Sequence, residues 1–175
     1  SAHQLLKDKL NMEYGFADEE IKILDPASGT SAFLVEAVKV AVSEYEERFG
    51  KGGGKQFARH FLLNKLYGFE TMISSYAIGH LKMLRDMRVM NLPRLEENER
   101  LNIFLTNTLD MEDIEQSDLP GMSSLSRESR LAGKVKKEIP ITVIIGNPPY
   151  SGHSCNNSEK WVSAPPSRGR GKRHG

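Results

Sequence analysis

Four polar stretches combine carboxylates, amides and small residues, and each directly follows an apolar run. The first is Asp25-Pro26-Ala27-Ser28-Gly29-Thr30-Ser31-Ala32-Phe33. Small residues let a backbone approach a ligand closely. A helix starting behind them offers free N–H groups and its positive dipole end to a carboxylate. Asp25 adds the opposite charge, which suits an ammonium. The two together fit a zwitterion, such as the methionine end of S-adenosylmethionine, better than a pyrophosphate. A dinucleotide site wants Gly-x-Gly-x-x-Gly, and Gly29 alone is present. A merely tight connection would use the same small residues.

The second stretch is a single acid, Glu70, closing the run Leu66-Tyr67-Gly68-Phe69. A carboxylate there can accept hydrogen bonds from two ribose hydroxyls, or serve a helix N-terminus through the macrodipole. The third is Asn107-Thr108-Leu109-Asp110, whose polar side chains can meet an adenine ring or simply form a cap or turn. The fourth is Asn147-Pro148-Pro149-Tyr150. Two adjacent prolines stiffen the loop, withhold their own N–H donors and turn carbonyls outward. The Asn147 side-chain oxygen and the Pro148 carbonyl can accept both hydrogens of a planar, ring-attached amino group. That localises the lone pair on nitrogen for attack on an electrophilic methyl, while Tyr150 stacks on the ring.

Strands and helices must hold these loops. The β-branched run Ile21–Leu24 reads as a strand stopped by Asp25-Pro26. Leu66–Phe69, Asn102–Thr106 and Ile141–Ile145 read as three more, the last as the clearest. Between them lie helical patterns: Ser1–Glu13, then Phe33, Leu34, Ala37, Val38, Ala41, Val42 and Tyr45, spaced as on a helix lying on a sheet. Gly50–Gly54 breaks that pattern, and short helical Phe57–Leu63 follows. Ser74–Met90 carries Tyr76, Ala77, Leu81, Leu84 and Met87 or Arg88 on one side, and Arg127–Lys137 is a last helix. Asp110–Gly121 reads as a polar loop. Alternating strands and helices predict right-handed βαβ units and a parallel sheet, which binds ligands at the carboxyl ends of its strands. All four stretches fall there.

Composition narrows the classes. The chain of 175 residues suits one core, read over 1–153, followed by a basic, disordered tail over 154–175 ending in Arg168-Gly169-Arg170-Gly171-Lys172-Arg173. Lys and Arg number 24 against 23 Asp and Glu, so no strongly basic field advertises nucleic acid. The one cysteine, Cys155, has no intrachain partner, and no Cys/His group has zinc-ligand spacing, so no metal is expected. No run is long enough to span a bilayer and no signal peptide opens the chain, which predicts a cytoplasmic protein.

The pair Asp25–Leu34 and Asn147–Tyr150 resembles the amino-methyltransferase superfamily, with its Asp-Pro-Ala-Cys-Gly-(Ser/Thr)-Gly-x-Phe-Leu cofactor motif and catalytic Asn-Pro-Pro-Tyr. Including Tyr76–Lys82 and Leu119–Leu125, the chain is similar to the methylase region of large single-polypeptide type I/ISP-like restriction-modification enzymes, to about His153. The order of motifs resembles the gamma arrangement, in which the recognition domain comes last and would lie beyond Gly175. The resemblance implies a partial Rossmann-like, S-adenosylmethionine-dependent fold that methylates the amino group of adenine in DNA. It makes Asp25, Pro26, Ala27, Ser28, Gly29, Thr30 and Phe33 the methionine site, Glu70 the ribose acceptor, and Asn107 and Asp110 the adenine contacts. Asn147, Pro148, Pro149 and Tyr150 become catalytic. It further implies DNA, helicase and nuclease regions as partners outside this chain.

Two departures stand out. Ser31 replaces the motif's second glycine, which predicts a less open turn. The family's sheet is also wider than the four strands read here, so the flank of the fourth strand is expected to be exposed. That predicts weak activity and self-association. Protein glutamine and RNA guanine also present planar amino nitrogens to such a loop, and a cofactor-binding module without catalysis would carry the same first motif. All three remain open on the sequence.

Overall fold

In the computed structural model, residues 2–10, 12–108 and 123–148 are described. The polar loop from Asp110, the tail from 154, and the site candidates Asp110, Pro149 and Tyr150 lie outside them. Helix α1 (Ala2–Leu10) leads through a 3-10 turn to β1 (Ile23–Asp25), followed by α2 (Ala32–Phe49), α3 (Gly54–Asn64) and β2 (Leu66–Glu70). Then come α4 (Ile73–Val89), β3 (Ile103–Leu105), α5 (Ser123–Glu138) and β4 (Val143–Ile144). The glycine-rich break after α2 is a 3-10 turn, Lys51–Gly53, and α3 starts at its edge on Gly54.

The four strands form one sheet in the order β3-β2-β1-β4, and every pairing is parallel. Ile23 faces both Leu66 and Val143, so β1 lies between β2 and β4. The chain first builds outward from β1 to β3 and then returns to the other side of β1. This reversal is the switch point at which such sheets open a crevice.

Alternation along the strands divides the core. Ile23, Leu66 and Ile103 pack with Leu34 and Val38 of α2, Phe61 and Leu62 of α3, and Met83 and Met87 of α4. Leu24, Tyr67, Phe69 and Phe104 face the opposite way, against Ala132 and Val135 of α5. All of β2 is buried, as a strand covered on both faces must be. At the β3 edge the Arg100 guanidinium grips the Glu128 carboxylate with two bonds of 2.7 and 3.0 Å, fastening α5 to the sheet.

Two readings need correction. The buried stripe of α4 is Gly79, Met83 and Met87, with Tyr76 and Leu84 partly buried, whereas Ala77 and Leu81 are exposed. The helix has turned its glycine inward because only a residue without Cβ fits there. The strand read over Ile141–Ile145 pairs as Val143–Ile144 alone, because the Thr142 hydroxyl accepts the Lys22 N–H at 2.8 Å and closes the ladder with a side chain. Ile144 is 69% exposed, as the reading of an uncovered flank predicts.

Candidate active site

Asp25 ends β1 and is wholly buried, with 0% exposure. Its Oδ1 accepts the Ala27 N–H at 3.1 Å, which bends the chain into the turn, and its Oδ2 has no partner. Burial pushes its carboxyl up to about 6; the Ala27 N–H opposes this, and the nearby Glu70 charge adds to the rise. The turn is tied to β2 through Ser28 N–H on the Phe69 carbonyl (2.9 Å) and closes on itself through Ser31 N–H on Ser28 (2.7 Å). Ser28 and Ser31 are buried, and their hydroxyls also lack partners. Pro26, Ala27 and Gly29 are half-buried, while Thr30 is exposed.

Gly29 and Ser31 both take left-handed conformations, with φ of 53° and 61°. The second value explains why a glycine belongs at this position: the turn is left-handed there, and Ser31 holds the conformation at a steric cost. No side chain caps α2, so the N–H groups of its first turn face the turn's opening unsatisfied by a cap. Phe33, in that first turn, is 48% exposed.

Glu70 serves the start of α4, as one reading of its position expects. Its Oε1 accepts the N–H groups of Thr71 (2.7 Å) and Met72 (2.8 Å) ahead of α4, and its other oxygen makes no hydrogen bond among the described residues. The third loop is anchored to its neighbours. Thr106 N–H reaches the Glu70 carbonyl at 2.8 Å, and the Thr108 hydroxyl donates to the Pro26 carbonyl. Asn107, half-buried, is thereby carried to the side of the first turn.

The fourth loop starts against the first. Ile145 N–H donates to the Leu24 carbonyl at 3.0 Å, and a methyl group placed on Gly146 would stand 2.6 Å from Asp25 Oδ1. Asn147 and Pro148 follow at once, both exposed. Asp25 ends β1, Glu70 ends β2, and Asn107 and Asn147 follow β3 and β4, so all four lie on the carboxyl-end side of one parallel sheet.

A family model for the MmeI DNA-methyltransferase domain matches residues 9–164. The chain belongs to the MmeI DNA-methyltransferase domain family. A comparison with curated proteins finds no match. Among solved structures, the chain is similar to a nuclease-deletion mutant of the Type ISP restriction-modification enzyme LlaGI in complex with a DNA substrate mimic. The identity is 26%, the TM-score 0.67, and the match covers 86% of this chain and 12% of that one. LlaBIII, an ATP-dependent Type ISP restriction-modification enzyme bound to DNA, matches at 25% identity and TM-score 0.66, over 90% of this chain and 10% of its own. A DrdV–DNA complex matches at 27% and 0.63, over 86% and 13%. The chain spans about one-eighth or less of each.

In this MmeI-type domain the fold bears out the α/β parallel-sheet reading, and the family bears out the resemblance. Sequence reasoning missed several residues around the crevice. Gly146 gives the fourth loop its contact with Asp25, and Gly68 leaves room for Leu34 and Ser28. Gly79 of α4 does the same for Ser31, whose Oγ lies 2.6 Å from where a Gly79 methyl would be. A glycine inside a helical pattern was the available signal for the last. Lys136 had none, because its contact with Asn107 links residues far apart in the chain. No helix among the described residues is long and apolar enough to cross a membrane.

Proposed function

We propose that this domain transfers a methyl group from S-adenosylmethionine to the exocyclic amino group of adenine in DNA, within a longer restriction-modification protein. The observation that carries the reading is the contact of Gly146 with Asp25, which sets the Asn147-Pro148 loop beside the turn that, among the described residues, leaves buried polar atoms unpaired.

The residues present fit the cofactor. Native proteins seldom bury oxygens without partners, and three of them cluster here beside an uncapped helix start. Asp25 Oδ2 would hold the ammonium, the first turn of α2 the carboxylate, Glu70 the ribose, and Asn107 with Asp110 the adenine. When bound, the cofactor supplies an electrophilic methyl on a sulfonium. Pro26, Ala27, Gly29, Thr30 and Phe33 shape the wall around it.

The target base must leave the duplex to reach the crevice, since a stacked base hides its amino edge. Asn147 Oδ1 and the Pro148 carbonyl accept its two N–H groups and localise the nitrogen lone pair, while Pro149 stiffens the loop and Tyr150 stacks on the ring. With the cofactor bound, the lone pair localised by Asn147 and Pro148 would take the methyl from the sulfonium, which would leave as a neutral thioether, and the nitrogen would release one proton to solvent. Approximation and lone-pair localisation account for the rate, with no covalent enzyme intermediate.

Calorimetry with S-adenosylmethionine and methyl incorporation into adenine-containing DNA test this. Asn147→Ala is expected to keep cofactor affinity and lose methyl transfer by about a hundredfold or more. Equal methylation by both proteins would remove Asn147 from the chemistry. A chain that binds cofactor but methylates no DNA would favour the cofactor-binding module.

A further inference from the structure

Lys136 lies on α5, on the sheet face opposite α2, and neither composition nor motif marks it. Its ammonium donates to the Asn107 carbonyl at 2.6 Å, lies 3.5 Å from the Thr106 hydroxyl, and stands 5.3 Å from the centre of the Phe69 ring. Each of these adjoins the crevice: Phe69 precedes Glu70, and Thr106 and Asn107 follow β3.

We propose that Lys136 is a positioning residue for the nucleotide end of the cofactor, fixing the backbone of the loop from which Asn107 reaches the adenine. This rests on the cofactor reading above.

The stretch 106–108, where the chain leaves β3, would sample several conformations if held only at its β3 end, and ordering it would weaken binding. Here it is held at three points. Thr106 N–H is on the Glu70 carbonyl, the Thr108 hydroxyl is on the Pro26 carbonyl, and the Lys136 ammonium is on the Asn107 carbonyl between them. The middle hold is charge-assisted and partly shielded from solvent by the Phe69 ring, so it is the strongest of the three. It belongs to α5, which Arg100 and Glu128 fasten to the rim of the sheet. The cofactor pocket is therefore braced from the face that carries none of its own loops.

The test is a double-mutant cycle on S-adenosylhomocysteine affinity, read by calorimetry on the full chain. Lys136→Met, which loses a charge-assisted hydrogen bond, and Asn107→Ala, which loses the side chain that reaches the adenine, are each expected to weaken binding roughly tenfold. If Lys136 acts through Asn107, the double variant binds no more than about twofold worse than Asn107→Ala alone. Lys136→Arg, which keeps the charge and a donor, is expected to regain most of the affinity. If Lys136→Met does not fold, Lys136→Gln enters the same cycle. Wild-type affinity in Lys136→Met, or losses that multiply in the double variant, would overturn the assignment of Lys136 alone. A wild-type chain that binds no S-adenosylhomocysteine would overturn the cofactor reading, and this inference with it.

Discussion

At the scale of single residues, the crevice is governed by one buried carboxylate. Asp25 titrates near 6 because burial disfavours its charge, whereas an exposed aspartate titrates near 3.8. The folded state thus holds a proton on Asp25 between these values that the unfolded chain has released. This contribution favours folding at low pH and is lost as pH rises through about 6. An ammonium ligand acts in the opposite sense, because it needs the ionised form. Cofactor affinity should fall about tenfold for each pH unit below 6 and level off near 7. Asp25→Asn should bind weakly at every pH and abolish the slope, which titration calorimetry at several pH values would show. Gly146→Ala is a second residue-scale prediction: its methyl would stand 2.6 Å from Asp25 Oδ1 and must push the carboxylate or the fourth loop aside. Cofactor affinity should drop about tenfold or more, with a comparatively small change in melting temperature.

At the scale of elements, the first turn and α4 fit each other through two unusual choices. Ser31 occupies a left-handed position natural to glycine, and Gly79 leaves the space its hydroxyl fills. Ser31→Gly should stabilise the fold by about 1 kcal/mol, since it removes both a strained backbone and a buried unpaired hydroxyl. Gly79→Ala should destabilise by about 2 kcal/mol through the clash with Ser31 Oγ, and much of that should return in the Ser31→Gly background. Urea denaturation of the four proteins would measure the coupling; strictly additive effects would show that the two positions do not share the space. The stripe of α4 was misread from the sequence for this same reason. Periodicity counts large apolar side chains, and Gly79 has none, so the apolar pattern runs through Ala77 and Leu81, which face water.

At the scale of the molecule, the sheet ends at β4 with Ile144 69% exposed and no strand beyond it among the described residues. An uncovered apolar side chain on an open edge favours pairing between molecules. The chain should self-associate with rising concentration, and Ile144→Lys should shift it toward monomer in light scattering without lowering cofactor affinity. The similar solved proteins are roughly seven to nine times as long as this chain, which leaves ample protein to cover that edge in them.

The sequence by itself determined the order and type of the elements, because strands and helices impose periods of two and about 3.6 on apolar residues. It also marked Asp25, Glu70, Asn107 and Asn147, since each ends an apolar run and parallel strands present their tips on one side. What only the tertiary structure decided is which tips touch. The register of β1 with β4 brings Gly146 onto Asp25, α4 approaches Ser31 through a glycine, and Lys136 reaches Asn107 from the far face. Those contacts join residues from 29 to 121 positions apart in the numbering. Local patterning carries no record of such pairings, because they arise only when the sheet closes and its helices settle.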